Sequence, residues 1–486
     1  CVTGVQTCAL PIYAVQPFSM VKIETRDTGL GDDDSIQSGG GPDLILGGKG
    51  DEQITAGDDD SSDIILGDHG YLRLDPQGYV IEAISTGSSH GGSDTIQSGG
   101  GGDYVIAGDG SDDIHSGAGG DIVLADHGKL SWRTSVSPPV LMEARSTESA
   151  LGGDDKIQGG DGTDVIVAGF GSDLVDAGTD NSSDIVVGDN GYALFDELGR
   201  LIEVSTADHD FGGVDIITTA NARDYVMGGA MGDAIRANGG HDVVLGDTGT
   251  MKWSQNDHDQ QLVSISSSEE DPLYGGNDDI RIGDGNDIVI AGTGDDFVNW
   301  DPNAILFNPR LGDEAGRDVI VGDSGEAFFQ NHNGFGALSE IRSLFDLHGG
   351  VDKIWTDAGF DVVIGGAGGD DIDAGTDDSR DIVLGDSGEV FFFDNEHEVV
   401  QTIESTTPTS GGSDEIIVGG GDDIVIGGAD DDFINYTREG LQIEGDTGTD
   451  TIVGDSGKAI FDFDAEDLVG IVREIRTTAP EHGGDD

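Results

Sequence analysis

The chain has 486 residues, enough for several domains or one long repeat array, with 97 acidic against 22 basic side chains and a formal charge of −75. Such a polyanion excludes nucleic acid and an anionic membrane surface as partners, and no apolar run approaches the roughly 18 residues of a membrane span. High charge and few aromatic residues are the composition of a disordered chain, yet the apolar residues here are strictly periodic.

In chain order, residues 1–12 (CVTGVQTCALPI) read as a translated sequencing adapter fused to the open frame. They hold both cysteines, Cys1 and Cys8, so the rest of the chain has neither a disulfide framework nor a thiolate metal site. There is no initiator Met and no signal peptide, and 482–486 stop inside a repeat; the expectation is an internal fragment of a longer protein. Residues 13–30 form the tail of a preceding unit, ending in the strand-like Val21-Lys22-Ile23-Glu24-Thr25. Seven units follow at 31–90, 91–151, 152–211, 212–274, 275–348, 349–410 and 411–482, and 483–486 begin another.

Within each unit an acid recurs about every nine residues, followed two places later by an apolar residue. The series is Asp34, Asp43, Glu52 and Asp63 in the first unit, then Asp94, Asp103, Asp112 and Asp121 in the second. The third carries Asp155, Asp164, Asp173 and Asp184. The fifth carries Asp278, Asp287 and Asp296, with a longer insertion before Asp318. The sixth carries Asp352, Asp361, Asp370 and Asp381, and the seventh Asp414, Asp423 and Asp432, then Asp450. A landmark closes each series: DIILGDHG (63–70), DIVLADHG (121–128), DIVVGDNG (184–191), DVVLGDTG (242–249), DVIVGDSG (318–325), DIVLGDSG (381–388) and DTIVGDSG (450–457).

After the landmark the pattern changes to period two. YLRLDPQGYVIEAIST (71–86) is two alternating runs around a Pro-Gln-Gly turn, which predicts a β-hairpin. The second place after the landmark glycine is Leu72, Leu130, Ala193, Met251, Ala327, Val390 and Ala459, and the fourth is Leu74, Trp132, Phe195, Trp253, Phe329, Phe392 and Phe461. Both are apolar in every unit, so one hairpin face is buried.

Hexapeptides such as GGDGTD (159–164), GGAGGD (365–370), AGDGSD (107–112), AGFGSD (168–173), IGDGND (282–287) and AGTGDD (291–296) precede the acids. This pattern resembles the RTX, or hemolysin-type, nonapeptide G-G-x-G-x-D-x-U-x, over most of residues 30–455. The physics points the same way. Three residues of strand and six of turn make a half-coil, and two half-coils return the chain to the same edge about 4.8 Å further on. Acids 18 residues apart therefore stack, as Asp94 on Asp112, Asp103 on Asp121 and Asp155 on Asp173; Asp164 faces Asp184 on the opposite edge from Asp173. Stacked carboxylates repel unless a cation lies between them, and Ca²⁺ accepts such a mixture of carboxylate and carbonyl oxygens better than Mg²⁺. The fold class expected is all-β, with tandem short parallel β-roll (β-solenoid) segments alternating with antiparallel hairpins, and two calcium sites per unit, one per edge. In the fourth unit TANARD (219–224) lacks the glycines and GGAMGD (228–233) shifts one, so its sites are expected to be weak or lost.

Strand polarity alternates. The first and third strands, such as TIQ and DIH, carry one inward apolar residue, whereas the second and fourth, such as YVI and IVL, are apolar throughout. The odd strands therefore form a wet face and the even strands a face buried on both sides, which the hairpins should cover.

Other motifs are set aside. GDSG (322–325, 385–388, 454–457) is a protease-like string, but its serine becomes His69, His127, Asn190 or Thr248 in other units, and no matching His/Asp constellation accompanies it. The landmark acids Asp68, Asp126, Asp189, Asp247, Asp323, Asp386 and Asp455 are either calcium ligands or Asx-turn residues. Glu82, Glu143 and Glu203 are assigned to the exposed hairpin face, and Trp132 and Trp253 to the core. The reading is a non-enzymatic calcium-binding array whose partners are calcium ions and neighbouring units. Host or cell-surface ligands remain open. The resemblance implies an extracellular or cell-surface protein exported by bacterial type I secretion. The rival is the export region of a secreted enzyme or toxin whose catalytic domain lies outside this chain.

Overall fold

The fold was obtained as a computed structural model. It describes residues 20–26, 29–87, 91–254, 261–268, 274–300, 316–344, 349–393, 399–435 and 448–478, apart from 135, 137, 333–334, 357, 376, 408, 410 and 465–468. The readings for residues 1–12, Cys1, Cys8, most of the fifth-unit insertion and 483–486 lie outside these. The described residues contain strands and turns and no helix. They divide into two compact units, 1–230 and 231–486.

Each compact unit contains three sheets. In the first, one parallel sheet stacks the odd strands Ser35–Gln37, Gln53–Thr55, Thr95–Gly100, Asp113–Ala118, Lys156–Asp161, Leu174–Gly178 and Ile216–Thr218. A second stacks the even strands, among them Leu44–Leu46, Ile64–Leu66, Tyr104–Ile106, Ile122–Leu124, Val165–Gly169 and Ile185–Asp189. The third is antiparallel and built from the hairpins, with Lys22–Glu24 at its edge, Ile23 opposite Leu72. The second compact unit repeats this arrangement from Ala234 onward.

Register shows why the chain folds this way. Ile96 pairs with Ile114, which pairs with Ile157, and Val105 with Val123, which pairs with Ile166. All six are fully buried and fill the space between the two parallel sheets. The neighbours of Ile96 on its strand, Thr95 and Gln97, are half-buried and exposed, as a wet face requires. Ile106, Ile122 and Leu124 point the other way and are also buried, because the hairpin sheet covers them; Tyr104 meets Trp132 edge-on at 5.2 Å between ring centroids. The second-place residues Leu72, Leu130, Ala193, Met251, Ala327, Val390 and Ala459 are all fully buried.

The parallel sheets are not interrupted by the hairpins. Asp113–Ala118 pairs directly with Lys156–Asp161 across the intervening hairpin, in the same register as with Thr95–Gly100. The short rolls expected from sequence therefore join end to end within each compact unit. The hairpin leaves the roll at the landmark and returns to it. At that exit a Cβ on Gly70 would lie 2.3 Å from the Ile84 carbonyl oxygen across the hairpin, so only glycine lets the chain fold back so closely there. Every hairpin carries a register shift just before the fourth-place residue, as at Ser131/Trp132 and Leu194/Phe195, a bulge that simple alternation does not announce. Glu82 and Glu143 alternate with the fully buried Ala83 and Ala144 and so lie on the outer hairpin face, where ion pairs with Arg73 and Lys129 across the hairpin leave them half-buried. Glu203, also half-buried, accepts the Tyr192 hydroxyl at 2.7 Å.

Leu130→Ala should cost about 2–5 kcal/mol, the usual range for emptying a fully buried leucine site. Hydrogen exchange should then open strands Gly128–Arg133 and Val140–Ser146 before Thr95–Gly100. Gln97→Ala on the wet face should stay within about 0.5 kcal/mol; equal losses from the two variants would contradict the covered-face arrangement.

Candidate metal centre

The recurring acids form two ladders along the edges of the roll. On one edge the Asp43 N–H donates to Asp63 Oδ1 at 2.7 Å, Asp63 to Asp103 at 2.8 Å, Asp103 to Asp121 at 2.8 Å, Asp121 to Asp164 at 2.8 Å, and Asp164 to Asp184 at 3.0 Å. On the other edge the sequence is Glu52 to Asp94, Asp94 to Asp112, Asp112 to Asp155, and Asp155 to Asp173, at 2.7–2.8 Å. In the second compact unit the same bonds join Asp287 to Asp318, Asp318 to Asp361, Asp361 to Asp381 and Asp381 to Asp423, ending with Asp423 to Asp450. Its other edge runs Asp278, Asp296, Asp352, Asp370, Asp414 and Asp432. The backbone returns the contact: the Asp113 N–H donates to the Asp94 carbonyl at 2.8 Å, and Ile185 to Asp164 at 2.9 Å. Each acid thus ties its coil to the preceding one through Oδ1.

The second carboxylate oxygen is different. Oδ2 of Asp43, Asp94, Asp103, Asp112, Asp121, Asp155, Asp164, Asp173 and Asp184 is buried with no hydrogen-bond partner, and so is that of Asp278, Asp296, Asp352 and Asp414. A buried, undonated carboxylate oxygen is costly, and a column of them repels: at 4.8 Å and an effective dielectric near 20, each adjacent pair costs about 3–4 kcal/mol if charged. Burial pushes Asp164 up to about 8, Asp173 to about 8, Asp103 and Asp184 to about 7, and Asp121 to about 6. Neighbouring acids add to the shift of Asp164, and the backbone donor from Asp121 opposes it. Such oxygens fit a hard, oxygen-seeking divalent cation.

The stacked pairs expected from the sequence are all present, and Asp164 and Asp173 lie on opposite edges. Ladder contacts across the hairpins, such as Asp112 with Asp155, are additional. Asp34 opens its strand half-buried, at the start of the series. The fourth unit's acids, not named among the sites from the sequence, join the same ladders. Asp215 and Asp224 accept from Asp173 and Asp184, and Asp233 and Asp242 donate to Asp278 and Asp287, so its acids belong to the ladders despite its missing glycines. Their spacing of nine was the signal; the absent glycines obscured it. Six of the landmark acids, Asp68, Asp126, Asp189, Asp247, Asp323 and Asp386, accept backbone N–H groups from distant turns rather than forming local Asx turns. Asp68 accepts the N–H groups of Gly92 (3.3 Å) and Asp109 (2.6 Å), Asp126 those of Gly153 (3.2 Å) and Phe170, and Asp386 those of Gly412 (3.1 Å) and Ala429. Each fastens the end of one unit to the turns of the next.

One Ser-His-Asp row does form: His127 ring nitrogens lie 3.1 Å from Ser85 Oγ and 2.9 Å from Asp109 Oδ1. Ser85 Oγ is also held by the Gly128 N–H at 2.8 Å, and the same hydroxyl-to-glycine bond recurs at Ser146, Ser267, Ser343 and Ser405. The serine therefore laces successive hairpins together.

Residues 28–68, 89–123, 149–184, 348–381, 409–437 and 442–458 match the family described as RTX calcium-binding nonapeptide repeat (4 copies). The match passes over the fourth unit and most of the fifth, where the ladders nevertheless continue. No curated protein matches the chain.

Asp164→Asn keeps an acceptor for the Asp121 N–H and removes one charge, so it should weaken calcium binding in the third unit with little loss of packing. Asp164→Ala also strands that N–H and should cost a further 1–3 kcal/mol or so; calorimetric calcium titration with thermal melts separates the two. The raised values set a pH dependence of defined sign. Without cation, carboxyls at about 6–8 in the fold but near 4 when unfolded favour the fold fully below pH ~4. That contribution is lost as pH rises through their folded values. In chelator, β circular dichroism should fall between about pH 4 and 8, and calcium should flatten the curve.

Proposed function

We propose that this chain, which carries RTX calcium-binding nonapeptide repeats in multiple copies, is a calcium-stiffened structural array of a secreted or cell-surface protein. The observation that carries this reading is the pair of acid columns whose outer oxygens are buried and undonated. Ca²⁺ supplies the missing positive charge there. Asp94, Asp112, Asp155 and Asp173 would hold it on one edge, and Asp103, Asp121, Asp164 and Asp184 on the other.

The consequence is folding controlled by the surroundings. At cytosolic calcium the carboxylates repel and the glycines favour the coil. In the 10⁻⁴–10⁻³ M affinity range of extracellular modules, binding energy becomes folding energy. Coils contact mainly their neighbours, so stability accumulates along the array. This logic suits export as an unfolded chain followed by folding outside the cell, as in type I secretion, and an adhesin-like or stalk role in which length and stiffness matter.

Circular dichroism of the whole chain, titrated with calcium against a chelator, tests the reading. A cooperative gain of β signal at calcium concentrations of roughly 10⁻⁴–10⁻³ M is expected; an unchanged spectrum in chelator at neutral pH would remove the calcium requirement.

A further inference from the structure

The edge ladder has one irregular rung. Glu52 occupies a place that aspartate takes at every other position on that ladder. It is 2% exposed, both of its carboxylate oxygens are buried with no N–H or hydroxyl donor, and its carboxyl lies within hydrogen-bonding reach of that of Asp94. Asp112, its counterpart one unit on, commits Oδ1 to the Asp94 N–H at 2.7 Å and leaves only Oδ2 undonated. The extra methylene of Glu52 thus leaves two oxygens available where an aspartate leaves one.

Those oxygens do not stand alone. Glu52, Asp68 and Asp94, all buried, each present an oxygen within 4.8 Å of the other two. Among the described residues no other group of three acids does so. Asp94 contributes its undonated Oδ2. Asp68 is positioned by the Gly92 and Asp109 N–H groups, which fix its carboxylate while leaving lone pairs unused. The equivalent places in the next unit are Asp112, Asp126 and Asp155. The backbone bond matches, with the Asp112 N–H on Asp155 Oδ1 at 2.7 Å, but with the shorter Asp112 in the place of Glu52 the three groups do not close to the same distance.

We propose that Glu52, Asp68 and Asp94 form a calcium site of their own, built from three carboxylates and holding the ion more tightly than the repeating ladder positions. Three carboxyl groups converge on it from two successive units. Glu52 can chelate through both oxygens, the bidentate carboxylate geometry that Ca²⁺ accepts and Mg²⁺ disfavours. The site lies where the landmark of the first unit meets the first turns of the second, so an ion there joins the two units directly. The inference rests on the calcium reading above and adds a preferred, first-filled position.

The test is a chelator competition on the whole chain, counting calcium ions retained by the parent and by Glu52→Asp. Aspartate fits the ladder at all equivalent places, so this variant should still fold on calcium, as its β signal reports. The expected result is one ion fewer retained, that ion being bound at least tenfold more weakly. Asp68→Asn should lose the same ion. Should Glu52→Asp retain as many ions as the parent, or bind more tightly, glutamate is only an inferior aspartate and the proposal falls. Should the parent itself retain no calcium, with β signal indifferent to chelator, the array reading fails along with it.

Discussion

Buried carboxylates stacked one coil above another are the constraint on which the rest of this structure depends. A flattened roll of nine-residue half-coils returns to the same edge every two half-coils, so any acid in the repeat lands on its predecessor. The backbone absorbs half of the problem. Each carboxylate turns one oxygen onto the N–H of the preceding acid, while the following strand's first N–H reaches back to that acid's carbonyl. This strap makes the acid a structural part of the turn, so any replacement must keep an acceptor for the preceding acid's N–H. The other oxygen remains, buried and undonated, and a column of such atoms is stable only when protonated or neutralised by cations.

The remaining architecture protects that arrangement. A roll of three-residue strands has a thin interior, filled by single residues such as Ile114 and Val123. By itself it would leave Ile106, Ile122 and Leu124 in water. The hairpin sheet covers this face, and the landmark is the device that produces it. Glycine allows the fold-back, the landmark aspartate fastens onto the next unit's turn N–H groups, and the hairpin serine laces onto the next landmark glycine. Three separate contacts thus secure each passage from roll to hairpin. The roll meanwhile continues beneath the hairpins, which is why Asp112 meets Asp155 although 42 residues lie between them.

Much of this was legible in the chain. The nine-residue recurrence of acid placed Asp94, Asp112, Asp155 and Asp173 on one edge and Asp103, Asp121, Asp164 and Asp184 on the other. The apolar character of YVI and IVL against TIQ and DIH separated a covered face from a wet one. Two features were not legible. The fourth unit's place in the ladders was hidden by its missing glycines, because an aspartate enters the ladder through its own backbone and Oδ1, which tolerate other residues in the turn. The glutamates of the hairpins were placed by alternation alone, which does not show that a cross-strand partner half-covers them.

What the sequence by itself determined is whatever a period enforces: parallel half-coils, acids stacked on edges, an apolar stripe on every hairpin, and an affinity for hard cations where carboxylates accumulate. Periodicity suffices for these because each follows from a residue's position within its own coil. Only the tertiary structure decided what happens between units. It showed that within each compact unit the roll continues beneath the hairpins, that landmark aspartates such as Asp68 and Asp126 are clamps, and that Glu52 meets Asp68 and Asp94. Those contacts join residues from different units through turns of differing length, and their distances are set by how the sheets pack.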